Sequence, residues 1–405
     1  MWGPYCSTTG AWYGRSILLG IFAGPIEALP ELSVTDLYFL HERGRFMSLY
    51  AFVLVGSNFL APVIFGFINV GQSWQWVYYW AAIICAIALV MLFFFMEETN
   101  FDRHNSGTDS EHHVARVLEQ SGRPAGTCNE AEVSNSTTTS ATLEQSYHRK
   151  RSYVQRLKLV DKPRPFRMLS RIKLQLYFFL WPIPLYAGFA YGATTVWYSV
   201  LNATASPILS AAPYSFSSSI VGLFYLGPLV ATLLALPATG VLSDWLMSRI
   251  ARRKDGIAEP EQRLPLFALG TLATPLALLL WGVGSARGVA WPALLVAMGA
   301  IALQNACGAA LSVNYLVDCY REMSGEALTA VICVRNTMVF AVSYGITPWI
   351  ARMGRLDAFI TAACVGTAAS LAFVPMLVWG KQLRSRSAEV YWRVVEQSAA
   401  EGLGH

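Results

Sequence analysis

Two acids stand out in a stretch with almost no other charge. Glu27 and Glu31 lie four residues apart between Gly24 and Thr35, a run bounded by apolar residues. Four residues is the spacing of neighbours on one helix face, so both carboxylates share a side. A carboxyl group in an apolar helix can take up a proton from one aqueous side and release it to the other. It can also attract a cationic solute, because charge attraction strengthens where water is excluded. Ionisable groups are costly inside a membrane and read first as functional. The plainer reading is that Glu31, beside Pro30, pairs with a neighbouring helix. Arg335 sits well inside a late apolar run, where its charge requires that it face other helices. Arg15 lies near the end of the first run, where an arginine can snorkel to the interface.

The elements that must position these residues are membrane helices. Residues of the AVILMFWYC set make up 54% of the chain and charged residues 14%, against roughly 25% charged in soluble domains. No Lys or Arg occurs between Lys173 and Arg249, too long an interval for a water-facing surface. A span needs about 20 apolar residues, which places about nine helices at 12–37, 47–68, 74–96, 175–200, 217–241, 265–284, 288–316, 327–350 and 357–380. Pro25 and Pro30, Pro182 and Pro184, and Pro275 interrupt three of them, and freed backbone groups are tolerated only against protein or a watery cavity.

Between the third and fourth runs lies a polar stretch. Its composition over 104–150 predicts disorder. From Ser152 on, Tyr153, Leu157, Leu159 and Phe166 mix with Arg156, Lys158, Arg164 and Arg167, the pattern of a basic amphipathic segment on a membrane surface. Lys and Arg cluster in this stretch, after span five and in the tail, whereas the opposite side holds Arg287, Arg352 and Arg355. The bias puts the stretch and the C-terminus in the cytoplasm and the N-terminus outside. The net charge of +5 follows from the same bias and points to no nucleic acid. Asn202-Ala-Thr204 then falls outside as a glycan acceptor, and Asn135-Ser-Thr137 inside, where it is none.

The cysteines are scattered and carry neither a disulfide framework nor metal spacing. His41, His104, His112, His113, His148 and His405 all lie outside the runs, which leaves no metal site and speaks against a membrane enzyme. A weak repeat joins Asp36 to Gly44 and Asp318 to Gly325. Each copy has an Asp at a helix end, a Tyr two later and a charged turn, with Arg43 in the first and Arg321 in the second. Six spans separate the copies, as in transporters built from two parallel halves.

These residues carry a resemblance. Pro25–Asp36, His41–Gly44, Gly56–Gly66, Glu97–Asn100, Gly240–Asp244, Ala251–Lys254, Glu259–Arg263, Asp318–Glu326 and Val334–Thr337 are similar, in that order, to fungal major facilitator superfamily transporters of the drug:proton antiporter branch. The resemblance covers nearly the whole chain outside 104–150. It implies that span one matches the family's fourth helix, and that the first three helices are lacking. It implies a proton-transfer role for Arg15 with Gly20, and an antiporter-like motif at Gly56, Pro62 and Gly66. It implies a cytoplasmic gate at Gly240, Asp244, Arg252 and Arg253, joined by Asp36, Arg43, Asp318, Arg321 and Arg335. It implies a substrate pathway lined by Tyr191, Trp197, Tyr198, Gln304 and Asn305, for which packing is the alternative.

The sequence thus predicts an all-α polytopic membrane protein with a truncated major facilitator fold. Residues 1–97 form a partial N-terminal half, 98–173 a cytoplasmic loop, 174–380 a six-helix half and 381–405 a cytoplasmic tail. The predicted function is transport of a small drug-like, cationic or polyamine-type molecule by proton-coupled antiport, without cofactor or metal. The chain is a monomer in the plasma membrane, or in the vacuolar membrane. A non-transporting fragment, scaffold or receptor is the rival reading.

Overall fold

The interval without Lys or Arg is helical throughout its length apart from short breaks, because a helix satisfies its own backbone in a medium that cannot. The computed structural model describes residues 3–6, 8–37, 40–96, 168–252, 260–320 and 323–400. Among them there is no strand. The helices are α1 (Thr9–Leu37), α2 (Leu40–Gly71), α3 (Trp74–Phe95), α4 (Met168–Phe178), α5 (Pro182–Ser210), α6 (Ser218–Phe224), α7 (Leu226–Ala251), α8 (Phe267–Ala286), α9 (Trp291–Cys319), α10 (Ser324–Ser370) and α11 (Phe373–Ala400). A 3-10 segment, Pro260–Leu266, precedes α8. The expected disorder over 104–150, the amphipathic residues 152–167, Arg253, Arg321 and the end of the tail lie outside the described residues.

The prolines meet the expectation unevenly. Helix α1 runs unbroken through Pro25 and Pro30. The fourth span is interrupted as expected, just before Pro182 and Pro184, with Trp181 extended (φ −90, ψ 134) and Pro182 opening α5. A residue before proline avoids the helical region, and a first-turn proline gives up a donor that has no partner there anyway. The span then continues to Ser210, ten residues beyond its predicted end at 200. Helix α10 is two helices meeting at Gly354, whose φ of +79 is open to glycine at little cost. The ninth span breaks at Leu371–Ala372 and carries on as α11 into the tail.

The chain forms two compact units, residues 1–50 with 78–164, and residues 51–77 with 165–405. In the first, α3 is apolar on all sides with no buried residue, the mark of a helix whose solvent is lipid. In the second, helices meet through glycines. A Cβ on Gly188 would stand 2.7 Å from Val334 Cβ, and one on Gly192 2.6 Å from Met338 Sδ, so α5 lies close along α10. Gly282 faces Phe359, and Gly366 faces the Trp197 indole. Lipid offers no hydrophobic drive between helices, so close packing of this kind holds the bundle. Trp281 is fully buried, and its Nε1 donates to Thr204 Oγ1 at 3.1 Å.

Candidate functional site: a polar face and an ion-paired plug

Tyr191, Thr195, Tyr198 and Asn202 follow one another at spacings of four, three and four, which sets them in one stripe along α5. Arg335 on α10 meets the head of this stripe. Its guanidinium lies 4.8 Å over the Tyr191 ring, and Nη1 donates to Tyr191 Oη at 2.9 Å. Nε and Nη2 donate to Asn336 Oδ1 at 3.0 and 2.9 Å. The Thr195 hydroxyl lies 3.0 Å from the Tyr191 carbonyl and 3.1 Å from Asn305 Oδ1 on α9; its single proton serves one at a time. A polar line therefore crosses α10, α5 and α9.

Beside it, the first part of α10 exposes Asn336, Thr337, Ser343 and Thr347. Phe340 and Tyr344 stand among them, 71% and 74% accessible, their rings stacked at 6.5 Å and 27°. Asn202 and Ser206 continue the exposed polar surface on α5. Thr337 gives its proton to the Cys333 carbonyl and Asn336 accepts from Arg335, whereas exposed hydroxyls such as those of Ser343 and Thr347 favour water or a polar solute in front of them. The face can bind by hydrogen bonding, cation–π contact and stacking.

Not every predicted lining residue lies here. Trp197 is buried against Gly366, and belongs to the core. Gln304 is buried beside Gly270 and lines a cavity of about 20 Å³ with Tyr186, Thr194, Ser370 and Phe373, room for about one water molecule. Their helices contribute to the face, while these two side chains are buried in the bundle. Tyr198 is half-buried, edge-on to Phe59 at 5.7 Å, and shares a hydrogen bond with Asn202. Asn202 itself lies two turns inside α5, and Thr204 of the same sequon is buried under Trp281. The sequon, expected as a glycan acceptor outside the membrane, is therefore helical.

A second cluster closes one end of the same unit. The 3-10 segment is mostly buried and carries two charges inward. Arg263 Nε donates to Asp318 Oδ2 at 2.8 Å, and Nη1 to Ser243 Oγ at 2.8 Å. Arg384 of α11 donates to Glu261 Oε2 at 3.3 Å. The segment thus ties α7, α9 and α11 together. Removing one partner of a buried pair strands the other charge, which costs about 3–5 kcal/mol in well-buried cases. Asp318, expected at a gate, is the acid paired with Arg263. Arg252 is exposed at the end of α7, which also carries Gly240 and Asp244. The side chains of Asp244, and of Glu27, Glu31, Asp36 and Arg43 on α1 and α2, lie outside the described residues.

In the first unit Arg15 is held by aromatic rings, 5.1 Å from Trp12 and 4.8 Å from Tyr78. Tyr79 and Tyr5 bond through their hydroxyls at 3.1 Å nearby. This clamp joins α1, α3 and the N-terminal 3-10 turn. In the second unit Pro62 and Gly66 meet α6 backbone to backbone. A Cβ on Gly66 would stand 2.7 Å from the Ser218 carbonyl oxygen, and one on Gly222 2.8 Å from that of Pro62. Asn69 Nδ2 donates to Ser218 Oγ at 3.2 Å across the same crossing. Gly56 has open space around it.

Sequence reasoning missed Thr195, Asn336, Ser243, Glu261 and Arg384 as site residues. Arg263 and Glu261 were visible as part of Glu259–Arg263, but a charge buried by a returning loop looks, in sequence, like a charge in water. Among the described residues no three His, Cys, Asp or Glu side chains converge on a metal site.

Comparison with known proteins agrees with this architecture. The chain is 27% identical to an uncharacterised MFS-type transporter of Schizosaccharomyces pombe over 97% of its own length and 72% of the relative's. It is 24% identical to protein HOL1 of Saccharomyces cerevisiae, over 95% and 72%. It is 23% identical to a probable efflux pump of Aspergillus flavus, over 84% and 74%. The model of the Major Facilitator Superfamily matches residues 2–348. With that match and its long apolar helices, the chain belongs to the Major Facilitator Superfamily, whose members are membrane transporters and not enzymes.

Proposed function

We propose that the chain exports a small drug-like, cationic or polyamine-type solute in exchange for protons, in the plasma membrane. The observation that carries this reading is the polar, aromatic face of α5, α9 and α10, where lipid-facing helices would be apolar. The efflux-pump relative supports the direction. The Lys and Arg bias supports a cytoplasmic 98–173 segment and tail. Glu27 is the proton carrier, with Glu31 one turn along the same face of α1, and Arg15 sets the outer end of that helix. The Arg263–Asp318 and Arg384–Glu261 pairs brace the cytoplasmic end of the second unit, next to the gating residues Gly240, Asp244 and Arg252. Tyr191 and Arg335 mark where the solute meets the face.

The test is transport by the purified chain in proteoliposomes under an imposed pH gradient, with ethidium and radiolabelled spermidine as probes. Glu27→Gln keeps shape and hydrogen bonding and removes titration. The expected outcome is at least a tenfold loss of gradient-driven movement with gradient-free exchange retained. Native gradient-driven rates in Glu27→Gln would clear this residue of coupling. If the unsubstituted chain moves neither probe faster than protein-free vesicles, the transport reading fails.

A further inference from the structure

Helix α4 and the far end of α11 share a row of aromatic rings. Tyr177 lies 5.7 Å from Trp181, Trp181 6.0 Å from Tyr391, and Tyr391 5.4 Å from Trp392. Tyr320, at the end of α9, backs the row 5.2 Å from Tyr391. Burial of the middle of the row is helix docking. The ends need another explanation, since Tyr177 is 39% and Trp392 54% accessible. Ile172, Leu176 and Leu180 are exposed beside the first end, together with Lys173. Arg393 is exposed beside the second, with Arg386 two turns back. The acids of this surface are Glu389 and Glu396. Glu389 stands 3.9 Å from Arg393, with both side chains mostly in the open, so the pair neutralises little.

A leaflet surface has the complementary chemistry. Indole and phenol rings settle at headgroup level, apolar side chains reach the acyl carbons, and cations meet phosphate and carboxylate. The sequence of α11 agrees. Its apolar part, which completes the ninth span, ends at Gly380, and Lys381, Arg384 and Arg386 follow at once. The rest of the helix therefore leaves the hydrocarbon core near the polar boundary, where the aromatic row lies.

We propose that α4 and the Arg384–Ala400 end of α11 form one docking surface for the headgroups of anionic phospholipids. The charge of Lys173, Arg386 and Arg393 selects anionic over zwitterionic lipid. The proposal rests on the transport reading only for which leaflet is met in the cell.

The test uses the full chain in symmetric vesicles of phosphatidylcholine doped with brominated phosphatidylserine or brominated phosphatidylcholine. Bromine quenches nearby indoles, and the difference between the chain and Trp392→Phe isolates the signal at the surface. Brominated phosphatidylserine should quench that signal at a several-fold lower mole fraction. Each basic residue near an anionic surface contributes up to roughly a fivefold preference, so Lys173→Gln, Arg386→Gln and Arg393→Gln together should bring the two lipids close to parity. Unchanged thermal unfolding of the triple variant in detergent shows that its fold is kept. Equal quenching by both lipids in the unsubstituted chain overturns the proposal. So does a preference that survives the triple substitution, or a Trp392 signal that neither lipid quenches. Symmetric vesicles offer both orientations the same lipid, so a chain that selects phosphatidylserine but moves no solute sinks the transport reading alone.

Discussion

Two stripes of the same helical unit are about equally open and have opposite composition. Helix α8 exposes Leu269, Leu272 and Leu276, 63–71% accessible, and nothing polar between them on that side. Helix α10 exposes Asn336, Ser343 and Thr347 together with Phe340 and Tyr344, the two rings 71% and 74% accessible. Accessibility alone does not separate them. What differs is the medium each stripe can tolerate: leucine costs nothing against acyl chains, and an amide or hydroxyl does. In a membrane protein an exposed position is therefore read by its chemistry, and the α10 stripe is the one that faces away from lipid.

The largest expected effect separates the core from the polar face on helix α5 itself. Trp197 and Tyr191 lie six residues apart. Trp197→Ala empties the space against Gly366 and should cost about 3 kcal/mol or more, seen as a loss of monodisperse protein in gel filtration before any transport is measured. Tyr191→Phe removes only the hydroxyl that accepts from Arg335 and keeps the ring beneath the guanidinium. It should leave yield intact and slow transport of ethidium several-fold. Equal effects of the two on yield would merge the face with the core and end the distinction.

A substitution across the two stripes tests the comparison directly. Leu272→Arg puts a charge into the lipid stripe at a cost of about 3 kcal/mol on insertion scales. Membrane-inserted protein should fall sharply, as judged by carbonate extraction. Thr347→Arg places the same charge at an exposed position on α10 and should insert with little loss. Comparable insertion of both variants would mean that α10 also faces lipid.

The membrane class and the rough order of the helices were legible because a long apolar run has few other uses. Helix ends were less so. Pro182 and Pro184 read as an interruption of a span, and the break falls just before them because Pro182 opens a helix, a side of the proline that sequence does not show. Of the residues expected on the pathway, Tyr191 bonds Arg335 and Asn305 lies against Thr195, whereas Trp197 and Gln304, named on the same grounds, are buried. A helix in a bundle has core, lipid and pathway sides, and one period of 3.6 residues marks only that sides exist. The buried pairs of Arg263 and Glu261 were hidden for a different reason. They depend on a loop folding back on the bundle end, and nothing local to Pro260–Leu266 reports that.

The smallest expected effect concerns Asn202, where a sequon in sequence and a helix in structure disagree. The Asn-x-Thr pattern is read by a transferase that needs an extended, accessible chain beyond the membrane surface. Here the Asn lies in α5, with Ser210 still eight residues ahead, and the acceptor-defining Thr204 holds the indole of Trp281. Expressed in a eukaryotic membrane, the chain should therefore show no change in gel mobility on glycosidase treatment that depends on Asn202. Asn202→Gln retains the amide that bonds Tyr198, so stability should change by no more than about 0.5 kcal/mol, the range of an exposed substitution. A mobility shift that disappears in Asn202→Gln would show that α5 ends well before Ser210 in the membrane. In that case Tyr198 and Asn202 would leave the polar face, and the contrast with the leucine stripe of α8 would rest on α10 alone.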